Sequence, residues 1–548
     1  MPSPLPPNQP PSRPLQRAGV LLCAAAAVWL TAPGSTRAQY PEARISPRGV
    51  LMIDFSPSYV SYSNRFAANG DEEPLGTDFS DERAGVRLIP SMWSPEGAIG
   101  SIIGDAGYTI DAGAFRTTLD ADIRRFPLNL EFGISKRFSV WASVPLVSTR
   151  MQVDFRIDST ATSDMGENLA GTSEGEGAIR SLIVDLDAGA AFVESQIAAG
   201  AYGCPGSAQC AEAQALVDRA NQLVLDLEIM TGVFGAGGTN EFLPPFAPID
   251  SSAAGKAVLA AVEDVKADLV TFGAPAIGGT VPLPPGAVDT TFINDRMLQE
   301  GRWGYGAEPL TFVKYHLKLG DAELGLRWGA VQSRSLRAVV EGKVRLPTGA
   351  VDLAENFVDL GVGDEQTDIV LGAQAVWEPG SVLALAASAS YTLQLGHQLE
   401  RRITPHTSPI AIAATQQTVS RNLGDVFEMG LYPTLRLSRS FVVYGSVYYY
   451  FKPKDSFELT GPYSLPDDQL QTSIEDLEFQ TKMTALSFGG GIHYFADTNR
   501  DGLALPIAAG IDYRAAFQGE GGLTPKSSRL NFYLRLYWRW FGDTPTEN

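Results

Sequence analysis

Apolar and polar residues alternate along many segments of this chain, most clearly in the last one. One face of Leu530 to Phe541 is large and apolar, with Phe532, Leu534, Leu536, Trp538 and Trp540. The other face carries Tyr533, Arg535, Tyr537 and Arg539. Successive side chains of a strand point to opposite faces. This segment therefore predicts a β-strand with one face toward lipid and the other toward water.

Eleven further segments share this alternation. They are Val50 to Tyr62, Thr117 to Ser135, Phe138 to Met151, Leu310 to Leu319, Leu336 to Leu346, Thr367 to Trp377, Val382 to Leu395, Val426 to Leu437, Ser440 to Phe451, Lys482 to Phe495 and Leu505 to Phe517. The pattern predicts an all-β fold, a transmembrane antiparallel β-barrel of twelve strands with a helical insertion. The stretch Arg83 to Ile110 leaves room for one more hairpin, so fourteen strands is the alternative.

The connections between these segments alternate between short and long, as periplasmic turns and external loops do in bacterial barrels. Ser135 to Arg137 and Glu378 to Gly380 are short, whereas Asp158 to Glu308 is by far the longest. The link from Gly320 to Ser335 is the least regular one. It should be periplasmic, yet it contains Leu324 to Trp328, which could pair locally.

The longest connection has helical periodicity. Three sets of apolar residues recur at intervals of three and four: Ile179, Leu182, Ile183, Leu186, Val193 and Ile197; Leu216, Ala220, Leu223, Leu227 and Met230; Val258, Val262, Val265 and Leu269. They predict three amphipathic helices, with Ser207 and Ser252 as N-caps. The helices form either a subdomain above the barrel or a plug that enters the lumen.

The first 38 residues have the features of a secretory signal. Arg13 and Arg17 precede the apolar run Ala18 to Ala32, and Thr36 to Ala38 offers a cleavage site. The domain boundaries are then 1–38 for the signal, 39–157 and 309–541 for the two barrel parts, 158–308 for the insertion and 542–548 for a periplasmic tail. Past the signal no eighteen consecutive residues are apolar, so strands are the elements available for crossing a membrane.

The net charge limits the possible partners, and the cysteines indicate a disulfide. Removing the signal, with Arg13, Arg17 and Arg37, takes the formal net charge from −20 to −23, which argues against nucleic acid as a partner. Cys23 would leave with the signal. Cys204 and Cys210 then predict a local disulfide in an oxidising compartment. A metal site is the alternative, but two thiolates without a nearby His are an incomplete ligand set.

The faces left over after each apolar face is assigned to lipid predict the lining of the lumen. The predicted lining residues are Glu131, Lys314, His316, Lys318, Arg337, Glu341, Lys343, Arg345, Arg436, Asp512, Arg514, Arg535 and Arg539, together with Asp54, Asp368 and Glu428. Nine of them are fixed cations and six are anions. Either these charges pair and fill the lumen, or a conducting path favours anions.

Residues for catalysis or metal binding are sparse. His397 and His406 lie in one loop near Ser408, but no nucleophile motif accompanies them, so we expect no enzyme and no cofactor. Asp497, Asn499 and Asp501 resemble the start of a calcium loop, but Ala508 stands where a bidentate Glu is required. The acidic residues Asp352, Glu355, Asp359, Asp364, Glu365 and Asp368 form either a solvated loop or a divalent-cation site.

Two stretches resemble outer-membrane proteins of the phenol-degradation meta-pathway type. They are Leu128 to Val147, a strand, glycine turn and strand, and Leu336 to Gly372, a strand with a Leu-Pro-Thr-Gly end, an acidic loop and a returning strand. The resemblance covers about a fifth of the chain and rests on turn residues such as Gly133 and Pro347. It implies a barrel distantly like the transporters of fatty acids and aromatic hydrocarbons.

The sequence as a whole predicts an outer-membrane barrel for passive passage of small apolar or anionic solutes. Its expected partners are outer-membrane lipid, a small solute and the barrel assembly machinery. The alternative is a surface recognition or structural protein, whose barrel only anchors the helical insertion.

Overall fold

The structure is a computed structural model, and it describes residues 40–351, 353–358, 360–405, 408–438, 440–462, 473–495 and 507–540. The predicted signal, the predicted tail and the calcium-like turn from Asp497 to Gly502 lie outside these residues. His406, Asp352 and Asp359 also lie outside them.

Twelve antiparallel strands form the barrel. They are β1 (Val50–Phe55 and Ser58–Tyr62), β2 (Ala114–Gly133), β3 (Phe138–Asp158), β4 (Phe312–Leu319 and Glu323–Gln332), β5 (Leu336–Arg345), β6 (Asp368–Trp377), β7 (Leu383–Gln394), β8 (Val426–Arg436), β9 (Phe441–Lys452), β10 (Met483–Phe495), β11 (Ile507–Glu520) and β12 (Ser528–Arg539). Each strand pairs with its neighbours in chain order. The prediction of twelve strands is confirmed.

The first strand closes the barrel. Val50 of β1 pairs with Arg539 of β12, while Leu51 on the same strand pairs with Phe132 of β2. A closed ladder satisfies the backbone polar groups of every strand without leaving an edge, which is the condition for a sheet to cross a membrane.

The outward face of the barrel is apolar on every strand. Leu317 and Leu371, for example, are 64% and 60% exposed. Aromatic residues mark the two ends of this belt: Trp328, Trp377, Trp538 and Trp540 lie near one end, and Tyr59, Tyr315, Tyr391 and Tyr513 lie toward the other. Exposed apolar side chains flanked by aromatic girdles are typical of an outer-membrane β-barrel.

Two strands are interrupted, and one interruption corrects the sequence prediction. The segment Glu323–Gln332 is the second half of β4, because it pairs with β3 directly beyond the first half. It is therefore neither a periplasmic link nor a local pairing. At the interruption the N–H of Gly320 donates to the carbonyl of Pro145 at 2.9 Å. A backbone hydrogen bond therefore still joins the chain to β3 between the two halves of β4.

The β2–β3 hairpin extends well beyond the membrane. A spanning strand needs about ten residues, whereas β2 has 20 and β3 has 21. The inner face of the projecting part is covered, since Phe115 and Phe155 are each 1% exposed and stack edge to face. This face belongs to the same apolar core as the helices of the insertion.

Four helices form a cap over the end of the barrel where the long loops lie. They are α1 (Trp93–Ile103), α2 (Ser173–Ala198), α3 (Ala208–Thr231) and α4 (Ala253–Thr271). The predicted N-caps are present, because Ser207 accepts from the N–H of Cys210 and Ser252 from that of Gly255. No helix of the described residues is long and apolar enough to cross a membrane.

The fourteen-strand alternative requires an extra hairpin between Arg83 and Ile110. The structure has helix α1 in this stretch instead. It packs on α3 and α4, and the hydroxyl of Ser101 donates to Asp226 of α3 at 2.6 Å. The cap is therefore built from two loops of the barrel rather than one. The expected disulfide is present: it joins Cys204, in the loop after α2, to Cys210, in the first turn of α3.

Arg402 joins the cap to the loops of the barrel. Arg402 is 8% exposed, and its guanidinium donates to four backbone carbonyls: those of Ala354 at 2.9 Å, Tyr305 at 2.6 Å, Gly306 at 2.9 Å and Ala411 at 2.9 Å. One side chain thus holds three separate loop segments together.

Deleting residues 177–273 and bridging the ends with a short Gly-Ser linker should leave a folded barrel. The deleted helices pack chiefly on α1 and on one another, and no barrel strand loses its partner. The unheated protein should still migrate faster on a gel than the heated protein, which is also the behaviour we expect of the full chain. A shortened chain that migrates as unfolded protein before heating would contradict this view of the cap.

Arg402→Met should loosen the cap without opening the barrel. The substitution leaves four buried carbonyls without donors, and bonds to a charged group are each worth about 1.5–3 kcal/mol. Limited proteolysis should cut the loops around residues 305 and 411 at least tenfold faster, while heat-modifiable migration is retained. Arg219→Met, which removes an exposed cap ion pair with Asp268, is the control and should cut at the wild-type rate.

Candidate functional site

The N-terminal residues of the described chain lie inside the barrel. Tyr40 is 7% exposed, and its ring packs 4.8 Å from that of Tyr444, 6.5 Å from that of Tyr432 and 5.4 Å from that of His493. These three partners belong to β9, β8 and β10. We call residues 40–49 the inner segment; it lies in the half of the interior next to the short turns. We call this the periplasmic half, because short turns are expected to face the periplasm.

Ion pairs fix the inner segment to the barrel wall. Glu42 accepts from Arg535, which also donates to Asp54 at 3.0 Å. Arg535 and Asp54 lie directly opposite each other on β12 and β1. The strand pair that closes the barrel is therefore also the anchor of the inner segment.

A second anchor involves Glu131 and Arg327. The N–H of Ser46 donates to Glu131 at 3.0 Å, and Arg327 donates to the carbonyl of Arg44 at 3.2 Å. Arg327 also bonds Glu131 at 3.3 Å and Glu341 at 2.6 Å. Backbone groups of the inner segment are thus hydrogen-bond partners of Glu131 and Arg327, together with the side chains of the barrel wall.

Five of the charges predicted for the lumen, together with two other acids, form two ion-pair groups within the barrel. Glu323 accepts from Lys343 at 3.0 Å and from Arg345 at 3.2 Å, and Arg345 also bonds Asp368 at 2.6 Å. Near the periplasmic end, Glu378 accepts from Arg337 at 2.6 Å and from Arg436. Much of the interior charge is therefore locally neutralised.

The remaining predicted residues have varied surroundings. Lys314 bonds Glu308 of the insertion and Asn356, and Asp512 accepts from Asn531 at 2.7 Å. His316 lies opposite Thr149 on β3. Lys318 and Arg539 have exposed side chains, the latter at the periplasmic end of β12.

A cavity of about 90 Å³ lies above the inner segment, and Pro41 forms part of its floor. Its charged lining residues are Arg327, Glu341, Lys343, Arg345, Glu428, Arg514 and Arg529. Its apolar lining includes Val339, Val370, Ala389 and the rings of Tyr432 and Tyr448. Five cations and two carboxylates surround a space that also offers apolar surface.

Several charged residues of the interior are missing from the lining that the sequence predicts. Glu323 and Arg327 lie in the second half of β4, where the sequence predicts a link. Arg529 precedes the predicted last strand by one residue. Arg125 lies six residues before Glu131 on β2, so continuing the two-residue period from Glu131 would have placed both on one face.

Of the residues considered for catalysis, the structure describes His397 and Ser408. His397 Nε2 lies 3.5 Å from Glu365, and Ser408 is buried. Within the described ranges no group of three or more His, Cys, Asp or Glu side chains is placed to hold a metal ion.

Comparisons with known proteins place the chain among distant structural neighbours. No family model and no curated protein sequence matches it. An outer-membrane channel from Pseudomonas putida F1 is 8% identical, with 92% of this chain and all of that chain covered and a TM-score of 0.39. A FadL homologue from Pseudomonas aeruginosa is 8% identical, covering 95% of this chain and all of that one, with a TM-score of 0.25.

The toluene transporter TbuX from Ralstonia pickettii is 8% identical over 90% of both chains, with a TM-score of 0.24. The distant likeness that the sequence predicted is present. Similarity at this level carries no argument about function, which has to come from the interior of this barrel.

Glu42→Ala should release the inner segment. Arg535 keeps Asp54 as a partner, so the barrel stays closed while the segment loses its ion pair. A cysteine at Ala43, which is 1% exposed, reports the release, because Cys204 and Cys210 are already paired. A water-soluble thiol reagent should label Ala43→Cys roughly tenfold faster in the Glu42→Ala background, equivalent to about 1.4 kcal/mol.

The control for this experiment is Glu72→Ala, which removes an exposed ion pair with Lys526 on the outside. It should leave the labelling rate unchanged. Equal labelling in the Glu42→Ala and wild-type backgrounds would mean that Glu42 does not hold the segment.

Proposed function

We propose that this protein is an outer-membrane channel for passive passage of small solutes, with a preference for anions. The observation that carries the proposal is the cavity between the inner segment and the external cap, where five cations face two carboxylates. Basic side chains lining a pore favour anions. The apolar lining beside them suits solutes with an aromatic or short aliphatic part.

Among the residues that the structure describes, some occupy the interior at each end of the barrel. The inner segment occupies the periplasmic half, and loop residues such as Leu360, 1% exposed, cover the upper interior. Passage therefore requires the inner segment to move. Glu42 and Arg535 hold it at one point, and Glu131 and Arg327 bond its backbone at a second. None of these bonds belongs to the strand ladder, so a local rearrangement can open the interior while all twelve strands stay paired.

One observation favours the second candidate function, a surface protein anchored by a filled barrel. Most interior cations have carboxylate partners, and the insertion has far more acidic than basic residues. In that case the cap would be the working part and the interior would only be packing. Current through the purified protein separates the two functions, because a filled barrel conducts nothing.

In planar bilayers the purified protein should conduct, and its reversal potential under a salt gradient should show anion preference. Arg514→Glu reverses a cavity charge and should shift the reversal potential toward cations. Arg116→Glu changes an exposed residue of the projecting hairpin and should leave it in place. Cation preference of the wild-type protein, or no conductance even in the Glu42→Ala variant, would reject the proposed channel.

A further inference from the structure

A groove of about 510 Å³ lies on the outward face of the barrel, across β10, β11, β12 and β1. Ala509 of β11 pairs with Tyr494 on one side and with Leu534 on the other. A small side chain between two large ones leaves a depression in the apolar surface. Phe55 and Pro57 border the groove where β1 is interrupted. Because Phe55 and Leu534 are 43% and 45% exposed on this face, the groove opens toward lipid.

The groove leads toward the end of the barrel that carries the cap. The next outward residue of β1 beyond Pro57 is Tyr59, which pairs with Leu530 of β12 and with Arg124 of β2. From Phe55 to Tyr59 the strand advances by roughly 13 Å, at about 3.3 Å per residue. Half of a hydrocarbon core is about 15 Å thick. The groove and the row of residues above it therefore have roughly the length of one acyl chain.

Two arginines mark the boundary of the apolar belt beside the groove. On the outward face of β2, the residues from Phe132 to Phe126 are apolar and Arg124 is the first charged one. On the outward face of β3, the residues from Phe138 to Leu146 are apolar and Arg150 is the first charged one. Arginine on a lipid-facing surface is favourable where the headgroups begin. Both side chains are therefore expected at the level of the lipid headgroups.

The carboxylate nearest to these arginines is already engaged. Asp122 accepts from Arg150 at 2.9 Å and from the hydroxyl of Tyr59 at 2.7 Å. Arg124 forms no ion pair with any residue that the structure describes, and its guanidinium lies 5.7 Å from the ring centroid of Tyr59. Asp120 is the next carboxylate on this face of β2, roughly 13 Å from Arg124 along the strand. The pair of Arg150 and Asp122 is neutral, so the local excess charge is that of Arg124.

We propose that the groove binds an acyl chain of a phosphorylated lipid from the membrane leaflet at the cap end, with the phosphate of this lipid on Arg124 and Arg150. A planar guanidinium group matches a phosphate with two parallel hydrogen bonds. Tyr59 lies between the groove and Arg124, and aromatic rings of this kind are favoured at headgroup level. The site is on the outside of the barrel and does not depend on conduction through the interior.

Mass spectrometry of the intact complex tests the proposal, with the purified protein in detergent titrated with lipid A, a phosphorylated and acylated disaccharide. One lipid A should be retained per chain. Lipid A from which the phosphates have been removed keeps the same acyl chains and should bind at least tenfold more weakly. Equal retention of the two forms would mean that no phosphate is recognised and would overturn the proposal.

Two variants examine the two halves of the site separately. Arg124→Gln should weaken the binding of lipid A at least fivefold. Ala509→Phe fills the groove and should weaken it to a similar extent, although both arginines are kept. Heat-modifiable migration on gels verifies that each variant is folded.

Each variant has a matched control. Arg116→Gln removes a cation further along the same face of β2, where the side chain is exposed and pairs with Glu82 and Asp158. Ala375→Phe adds a ring to the outward face of β6, which is not part of the groove. Both controls should bind lipid A as the wild type does.

The remaining outcomes decide whether groove and arginines act together. An unchanged affinity in Ala509→Phe overturns the role of the groove, and an unchanged affinity in Arg124→Gln overturns that of the arginines. Inorganic phosphate in tenfold excess over lipid A should not displace it, because phosphate alone has no chain to place in the groove. Displacement by inorganic phosphate would also contradict the proposal.

Discussion

Closure of the twelve-strand ladder is the constraint on which the rest of this structure depends. In a membrane the backbone groups of an unpaired strand would have no partner, so β1 must bond both β12 and β2. The interruptions in the strands respect the same condition. Pro57 lies between the halves of β1, and its carbonyl accepts from the N–H of Phe532 at 2.9 Å, just as Pro145 accepts from Gly320 in the wall beside β4.

Closure also forces polar side chains into the interior, where their charges have to be satisfied. A buried charge without a partner costs several kcal/mol, and the barrel meets this cost with ion pairs between neighbouring strands. Arg345 joins its own strand to β4 through Glu323 and to β6 through Asp368. The inner segment extends the same principle, because Glu42 and the backbone at Ser46 and Arg44 bond to wall residues. The segment is thereby part of the interior network and not a loose end.

The barrel could be predicted from the sequence because its information is local and periodic. Alternation of period two located all twelve strands, and the helical spacing located α2, α3 and α4. The features that escaped have no such period. Gly320 interrupts β4, and the strand segment after it, which carries Glu323 and Arg327, is therefore absent from the strands that the sequence predicts. Helix α1 contains Pro95, Gly97 and Gly100, residues that are poor helix formers. The position of the inner segment depends on contacts with strands hundreds of residues away, which no local pattern reports.

The pair of Arg514 and Arg529 bears on whether the barrel is more than an anchor. A barrel that served only to hold the cap would be most stable with its interior filled by apolar side chains or by matched charges, as it is around Glu323. Placing two arginines directly opposite each other costs stability and leaves a cavity, which costs stability again. Two unfavourable features at one place favour the proposed channel over a barrel that serves only as an anchor. The same cavity lies directly above the inner segment, so a solute bound there would occupy the last position before the periplasmic half of the barrel.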